Sequence, residues 1–169
     1  MFSFFKRKSP APAASTDTDS PPATGIRYDP DLIGALVADH QVLLQHYQRI
    51  ADKAAENRFR EVRAELGQFK TLFHSHILVE NVKLYVYLNH NLDIDRESGE
   101  MVRGMRREMR HIGKAVNQFI ESYDVWPWSD ELASGFTRDL ERIGAALSER
   151  IETEETSLYP LYQAPEAGS

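Results

Sequence analysis

His76-Ile77-Leu78-Val79-Glu80-Asn81-Val82-Lys83-Leu84-Tyr85 decides how the chain folds. A histidine and a glutamate four residues apart share one side of a helix, one turn above the other. Both replace apolar residues on the buried stripe Phe59, Val62, Leu66, Phe69, Phe73, His76, Glu80, Leu84, Tyr87. Buried polar side chains at this spacing are where two ligands of one metal site would stand. A second copy of the stretch lies late in the chain, at Arg150-Ile151-Glu152-Thr153-Glu154-Glu155-Thr156-Ser157-Leu158-Tyr159. Ile, Glu, Leu and Tyr recur at matching places. Arg150 stands where the copy would carry histidine.

Around these copies the helical period recurs. The first helix is expected from Asp29 as N-cap and Pro30 as first helical residue to Asn57, with Ile33, Leu36, Val37, Leu43, Leu44, Tyr47 and Ile50 inward. His40 falls inside that stripe. The second helix is expected over Phe59 to His90. The third covers Glu100 to Tyr123, capped near Asp95 or Ser98, with Met101, Met105, Ile112, Val116 and Phe119 inward and His111 at the edge. Pro127 closes the next linker, and Ser129 caps a fourth helix carrying Leu132, Phe136, Leu140, Ile143, Leu147, Ile151, Glu154 and Leu158. Nothing alternates in the strand sense. The expected fold is all-α: an antiparallel up-down-up-down four-helix bundle over 29–163, a disordered tail over 1–28 and a disordered C-terminus over 164–169.

The 169 residues suffice for one core without staples. There is no cysteine, so disulfides and thiolate ligands are excluded. A formal charge of −6 argues against nucleic acid as partner. No apolar run has the length of a membrane span. The N-terminus is apolar and then basic, Phe2, Phe4 and Phe5 before Lys6-Arg7-Lys8, the reverse of a signal peptide. A cytoplasmic protein is expected, without membrane contact by this tip.

The register test concerns the polar core residues. In an up-down-up-down bundle, His40, His76, Glu80, His111, Arg150 and Glu154 fall in one layer, roughly 12–20 Å from one end. Three histidines and two glutamates are costly to bury together without a cation. Imidazole with carboxylate suits iron, manganese or zinc. His74 lies to the side of the stripe. His46 and His90 have no inward partner and read as surface residues.

These motifs resemble the hemerythrin-like (HHE cation-binding) family over most of residues 30 to 162. The resemblance rests on Asp39-His40 with Leu43, His76-x-x-x-Glu80 with Leu84-Tyr85, His111-Ile112, and Glu154-Glu155-x-x-Leu158-Tyr159-Pro160. It implies a non-heme di-iron centre held by His40, His76, Glu80, His111 and Glu154. It also implies binding or sensing of O2, nitric oxide or iron rather than enzymatic turnover. Two departures stand out. Arg150 cannot ligate a metal and stays charged. Ala115 stands where oxygen-carrying members have a second histidine on the third helix. A full oxygen carrier is therefore not expected, and one of the two metal positions is in question.

Arg150 also supports an alternative, in which it pairs with Glu80 or Glu154 and removes the need for a metal. The segment from Ile143 to Glu155 is similar to the last helix of the regulator-of-sigma-D family, whose members are metal-free bundles that bind a sigma factor. The alternative is thus a helical regulator with a protein partner. A di-iron oxidase would need substrate access that the sequence does not display.

Overall fold

The computed structural model describes residues 26–91 and 96–165. Four helices form. Helix α1 is Leu32–Ala55. Helix α2 runs over 59–91, as Phe59–Val79, a π-helical turn Glu80–Leu84 and a last α-helical segment Tyr85–Asn91. Helix α3 is Arg96–Tyr123. Helix α4 begins as Asp130–Thr153, passes through a second π-helical turn Glu154–Leu158 and ends in a 3-10 turn, Tyr159–Leu161. Neighbouring pairs close a ring: α1 on α2, α2 on α3, α3 on α4 and α4 on α1. No strand occurs among the described residues. The antiparallel bundle expected from the 3.6-residue period is the observed fold.

The helix ends follow local chemistry. Ser129 caps α4, its Oγ accepting from the Leu132 backbone N–H at 3.2 Å. Asn57 ends α1 in the left-handed region, with φ of 58°. The Arg58 N–H then reaches the Lys53 carbonyl and the Asn57 N–H reaches the Ala54 carbonyl, so the last carbonyls keep donors. Two starts differ from expectation. Asp29 does not cap α1; its Oδ1 accepts from the Asp31 N–H in a turn just before the helix, and Asp31 is the N-cap. Helix α3 is already under way at Arg96, so Ser98 is inside it, and Asp95 lies outside the described residues.

The expected N-terminal tail falls largely on residues 1–25, outside the described residues. Residues 26–28, assigned to it, belong to the bundle: Ile26 packs on the core, and the Tyr28 ring stacks on Tyr162 at 5.0 Å. Of the expected C-terminal tail, 166–169 lie outside the described residues.

The core comes in two parts. One holds Leu43, Ile50, Leu66, Phe69, Phe73, Met109, Val116 and Phe136. The other holds Leu32, Leu36, Leu84, Tyr85, Leu88, Met105, Leu158 and Tyr159. Each such side chain contributes about 1.5–3 kcal/mol of burial. The polar residues of interest lie between the two parts. On α1, His40 separates Leu36 from Leu43. On α2, His76 and Glu80 separate Phe73 from Leu84. On α4, Arg150 and Glu154 follow Leu147 and precede Leu158. The apolar clusters above and below fix the height of this layer and keep bulk water from it.

Candidate metal centre

The two π-helical turns begin at Glu80 and at Glu154, the same place in each copy. In an α-helix, five residues turn the chain by about 500°, so Tyr85 would point about 140° away from Glu80. In the wide turn, the Tyr85 N–H bonds the Glu80 carbonyl and the Tyr159 N–H bonds the Glu154 carbonyl, five residues back. The residue five on from each glutamate thereby comes round to the inner face. Tyr85 and Tyr159 are buried as a result. A fixed 3.6-residue period could not show this, and neither tyrosine was expected at the centre. The only sequence signal was their recurrence at matching places in the two copies.

His40, His76 and Glu154 converge. They offer one ligand atom each, all within 4.8 Å of one another, and all three residues are buried. His40 Nε2 lies 3.2 Å from His76 Nε2 and 3.1 Å from Glu154 Oε2. Donors held about 2.1 Å from one ion are about 3 Å apart, so these spacings match the edges of a coordination shell. Glu80 stands beside them, its Oε1 3.8 Å from His76 Nε2 and accepting from the Tyr159 hydroxyl at 3.0 Å. Glu80 Oε2 is buried with no hydrogen-bond partner, and so is His76 Nδ1. An unpartnered buried carboxylate oxygen beside three converged donors fits a cation at this point.

Carboxylates back the histidines. His40 Nδ1 donates to Glu155 Oε1 at 2.8 Å, which fixes the tautomer and turns Nε2 toward the centre. Asp39 Oδ2 lies 3.5 Å from His76 Nδ1. Both carboxylates reach across helices: Glu155, next to Glu154 on α4, bonds a histidine of α1, and Asp39, next to His40 on α1, stands near a histidine of α2 without bonding it.

Charge is distributed unevenly. Burial lowers the His40 imidazole, but hydrogen bonds to Glu154 and Glu155 outweigh burial and leave it raised. Burial and then the charge of His40 lower His76. Burial, reinforced by the charge of Glu154, pushes the Glu80 carboxyl up to about 8. Burial would raise Glu154, but the His40 hydrogen bond and the Arg150 charge hold it below the usual carboxylate range. Without a metal, Glu80 thus keeps its proton at neutral pH and Glu154 does not.

Arg150 occupies the counterpart of the His76 position, and it is only 3% exposed. Its Nε donates to Glu154 Oε1, its Nη1 to the Met105 carbonyl at 3.1 Å, and its Nη2 to the Tyr85 hydroxyl at 2.8 Å. Glu154 therefore divides its oxygens: Oε2 faces His40 and Oε1 is held by the guanidinium. A second metal does not fit where Arg150 lies. The donor set fits one cation.

His111 was expected in this layer and is not there. It is exposed on α3. The inward stripe of that helix is Val102, Met105, Met109, Val116, Ile120 and Tyr123 rather than one built on Met101, which is 38% exposed. With that register His111 points about 150° from the stripe's centre at about 100° per residue. The α3 contributions to the layer are the Met105 carbonyl and the Glu108 carboxylate, 3.6 Å from Arg150 Nη1. His46 is a second correction: it is buried, bonding Glu65 Oε2 at 3.0 Å, and Lys53 Nζ reaches Glu65 Oε1 at 2.8 Å. His74 is exposed and donates to Asn117 Oδ1 at 2.6 Å, and His90 is exposed.

A cavity of about 30 Å³ reaches the centre between α1 and α4. Leu43, Phe69, Phe73 and Met109 line it, His40, His76, Glu154 and Arg150 form its inner end, and Leu44 and Ser148 stand at the surface. That is room for a molecule of two or three heavy atoms. Tyr47 crosses nearby, its hydroxyl donating to the Leu140 carbonyl at 3.2 Å. Gly144 permits this approach, because a Cβ there would lie 2.2 Å from the Tyr47 oxygen.

A four-helix bundle whose core presents histidine and carboxylate from facing helices defines a class of metal-binding bundle. The sequence profile of the hemerythrin HHE cation binding domain matches residues 31–162, and the chain belongs to that family. No curated protein and no solved structure gave a significant match. The similarity of the last helix to the regulator-of-sigma-D family finds no support in these comparisons. No described helix is long and apolar enough to cross a membrane.

Proposed function

We propose that the protein holds one non-heme iron ion through His40, His76 and Glu154, with Glu80 beside them, and that it binds or senses a small molecule such as O2 or nitric oxide there. The observation that carries this is the asymmetry of the two copies. One turns His76 Nε2 to His40, beside a Glu80 oxygen that has no partner; the other presents Arg150, already bonded to its own glutamate. Membership of a cation-binding family supports a metal in this layer. Bound there, iron would supply a coordination position open to a small ligand. The chain's own residues do the rest. Glu155 orients His40, and Arg150 holds Glu154 so that Oε2 faces the metal position. Tyr159 donates to Glu80 Oε1, and Oε2 is left without a protein partner. The apolar cavity admits a small uncharged molecule and excludes bulk water. The role is binding rather than turnover, in a cytoplasmic protein.

The test is anaerobic loading with ferrous iron followed by titration with nitric oxide, read by EPR. Wild type should bind one iron and give a signal that grows with nitric oxide. His76→Ala should lose both, whereas His111→Ala and His74→Ala keep both. Iron retained by His76→Ala, or lost by His111→Ala, contradicts the assignment. The metal-free regulator rests on one observation: Arg150 neutralises Glu154 without a metal. It is upheld if protein grown with iron carries none and the His76→Leu/Glu80→Met double variant folds equally well.

A further inference from the structure

The surface carries a charge asymmetry that the metal centre does not use. Between Arg103 and Lys114, α3 carries five cations, Arg103, Arg106, Arg107, Arg110 and Lys114, against one acid, Glu108. At about 100° per residue the five fall within an arc of about 100°, and Glu108 lies outside it. The stripe extends over roughly 16 Å of helix. Arg106 is half-buried and the other four are exposed. None of the five makes an ion pair among the described residues. Elsewhere Arg49, Lys53, Arg58, Arg63, Lys83 and Arg138 are each paired, and the remaining unpaired cations among the described side chains, Arg27, Arg60, Lys70 and Arg142, do not form a stripe of this density. Five cations against one acid make the segment net +4 in a chain of net −6, which leaves −10 on the remainder. Arg106 lies over the Tyr85 ring, 5.6 Å from its centroid, but like charges in one stripe still repel each other, and an anionic occupant relieves that.

The stripe flanks a groove of about 370 Å³ between α2 and α3. Arg106, Arg110 and Lys114 form its rim, and Ile77 and Met109 give it an apolar floor. We propose that this groove docks an acidic segment of a partner protein, with its carboxylates on the arginine stripe and an apolar side chain over Ile77 and Met109. Guanidinium forks match carboxylates two bonds at a time. The observations favour a peptide over other polyanions. No aromatic side chain lines the groove, so bases have nothing to stack on. An extended nucleic acid or an anionic membrane would also meet the acidic remainder of the protein. A short segment stays within about 10 Å of the stripe and is screened from the rest.

The experiment uses the full chain, with and without iron, because this docking is independent of the metal reading. A fluorescent synthetic peptide of Glu, Asp and Leu is titrated by anisotropy, beside a single-stranded DNA oligonucleotide and phosphatidylserine vesicles. The peptide should bind saturably, and about tenfold more weakly to Arg110→Glu/Lys114→Glu. Arg142→Glu on α4 should leave binding unchanged. Circular dichroism checks that each variant keeps its helices. No peptide binding, equal binding to the charge-reversed variant, or stronger binding to DNA or vesicles overturns the proposal.

Discussion

The two copies on α2 and α4 use the same backbone to opposite ends. Each has a π-helical turn starting at its glutamate, and each thereby swings a tyrosine inward five residues later. On α2 the leading residue is His76, whose Nδ1 has no hydrogen-bond partner, and the glutamate keeps a free oxygen. On α4 the leading residue is Arg150, whose guanidinium is bonded to Glu154, Met105 and Tyr85 and lies 3.6 Å from the Glu108 carboxylate. The two copies of the frame thus differ by one side chain: the α4 copy carries a cation covalently, whereas the α2 copy leaves a buried Glu80 oxygen without a partner.

The largest expected effect follows from that contrast. Arg150→Leu removes a buried charge whose partner Glu154 remains, and should cost about 3–5 kcal/mol in urea unfolding of the metal-free protein. His76→Leu, in the same state, removes an imidazole that burial already keeps uncharged, and should change stability by about 1 kcal/mol or less. Equal costs would break the comparison. Next comes Arg150→His, which makes the copies alike: iron content should rise from one toward two per chain. The tyrosines should separate as well. Tyr85→Phe leaves an Arg150 N–H unpaired and should cost about 1–3 kcal/mol. Tyr159→Phe should show its effect mainly as metal affinity, about tenfold weaker, measured by competition with a chelator.

The smallest effect concerns the His46–Glu65 pair, a histidine–glutamate contact that needs no metal because Lys53 completes it. The Lys53 hydrogen bond holds the Glu65 carboxyl below its ordinary value, against burial. A lowered folded-state value means stability that is present above the unfolded carboxylate range and lost as pH falls through the folded one. The gap between wild type and Glu65→Gln should be about 1 kcal/mol at pH 7 and close below about pH 4 in thermal melts.

The bundle was legible because most core positions obey one period, and because Ser129 and Asn57 mark helix ends by local chemistry. The layer of His40, His76, Glu80 and Glu154 was legible for the same reason: polar residues in an apolar stripe stand out. Three features were not. Tyr85 and Tyr159 depend on a widened turn, which a fixed period cannot reveal. His111 was misplaced because α3 buries Val102 and Met109 and turns Met101 outward, a choice set by packing against other helices. His46 is inside because Glu65 and Lys53, on two helices, meet it there, and no pattern within one helix reports such a pairing. The family profile supports a cation-binding domain, but the presence of Arg150 at the counterpart of the His76 position is visible only when the two copies are set side by side.

Metal stoichiometry of the full chain tests this most directly. After anaerobic loading with excess ferrous iron and removal of the unbound metal, wild type should retain one iron per chain, lost in His76→Ala. Two irons per chain in wild type, with Arg150 in place, would contradict the claim that its guanidinium stands where a second metal would bind.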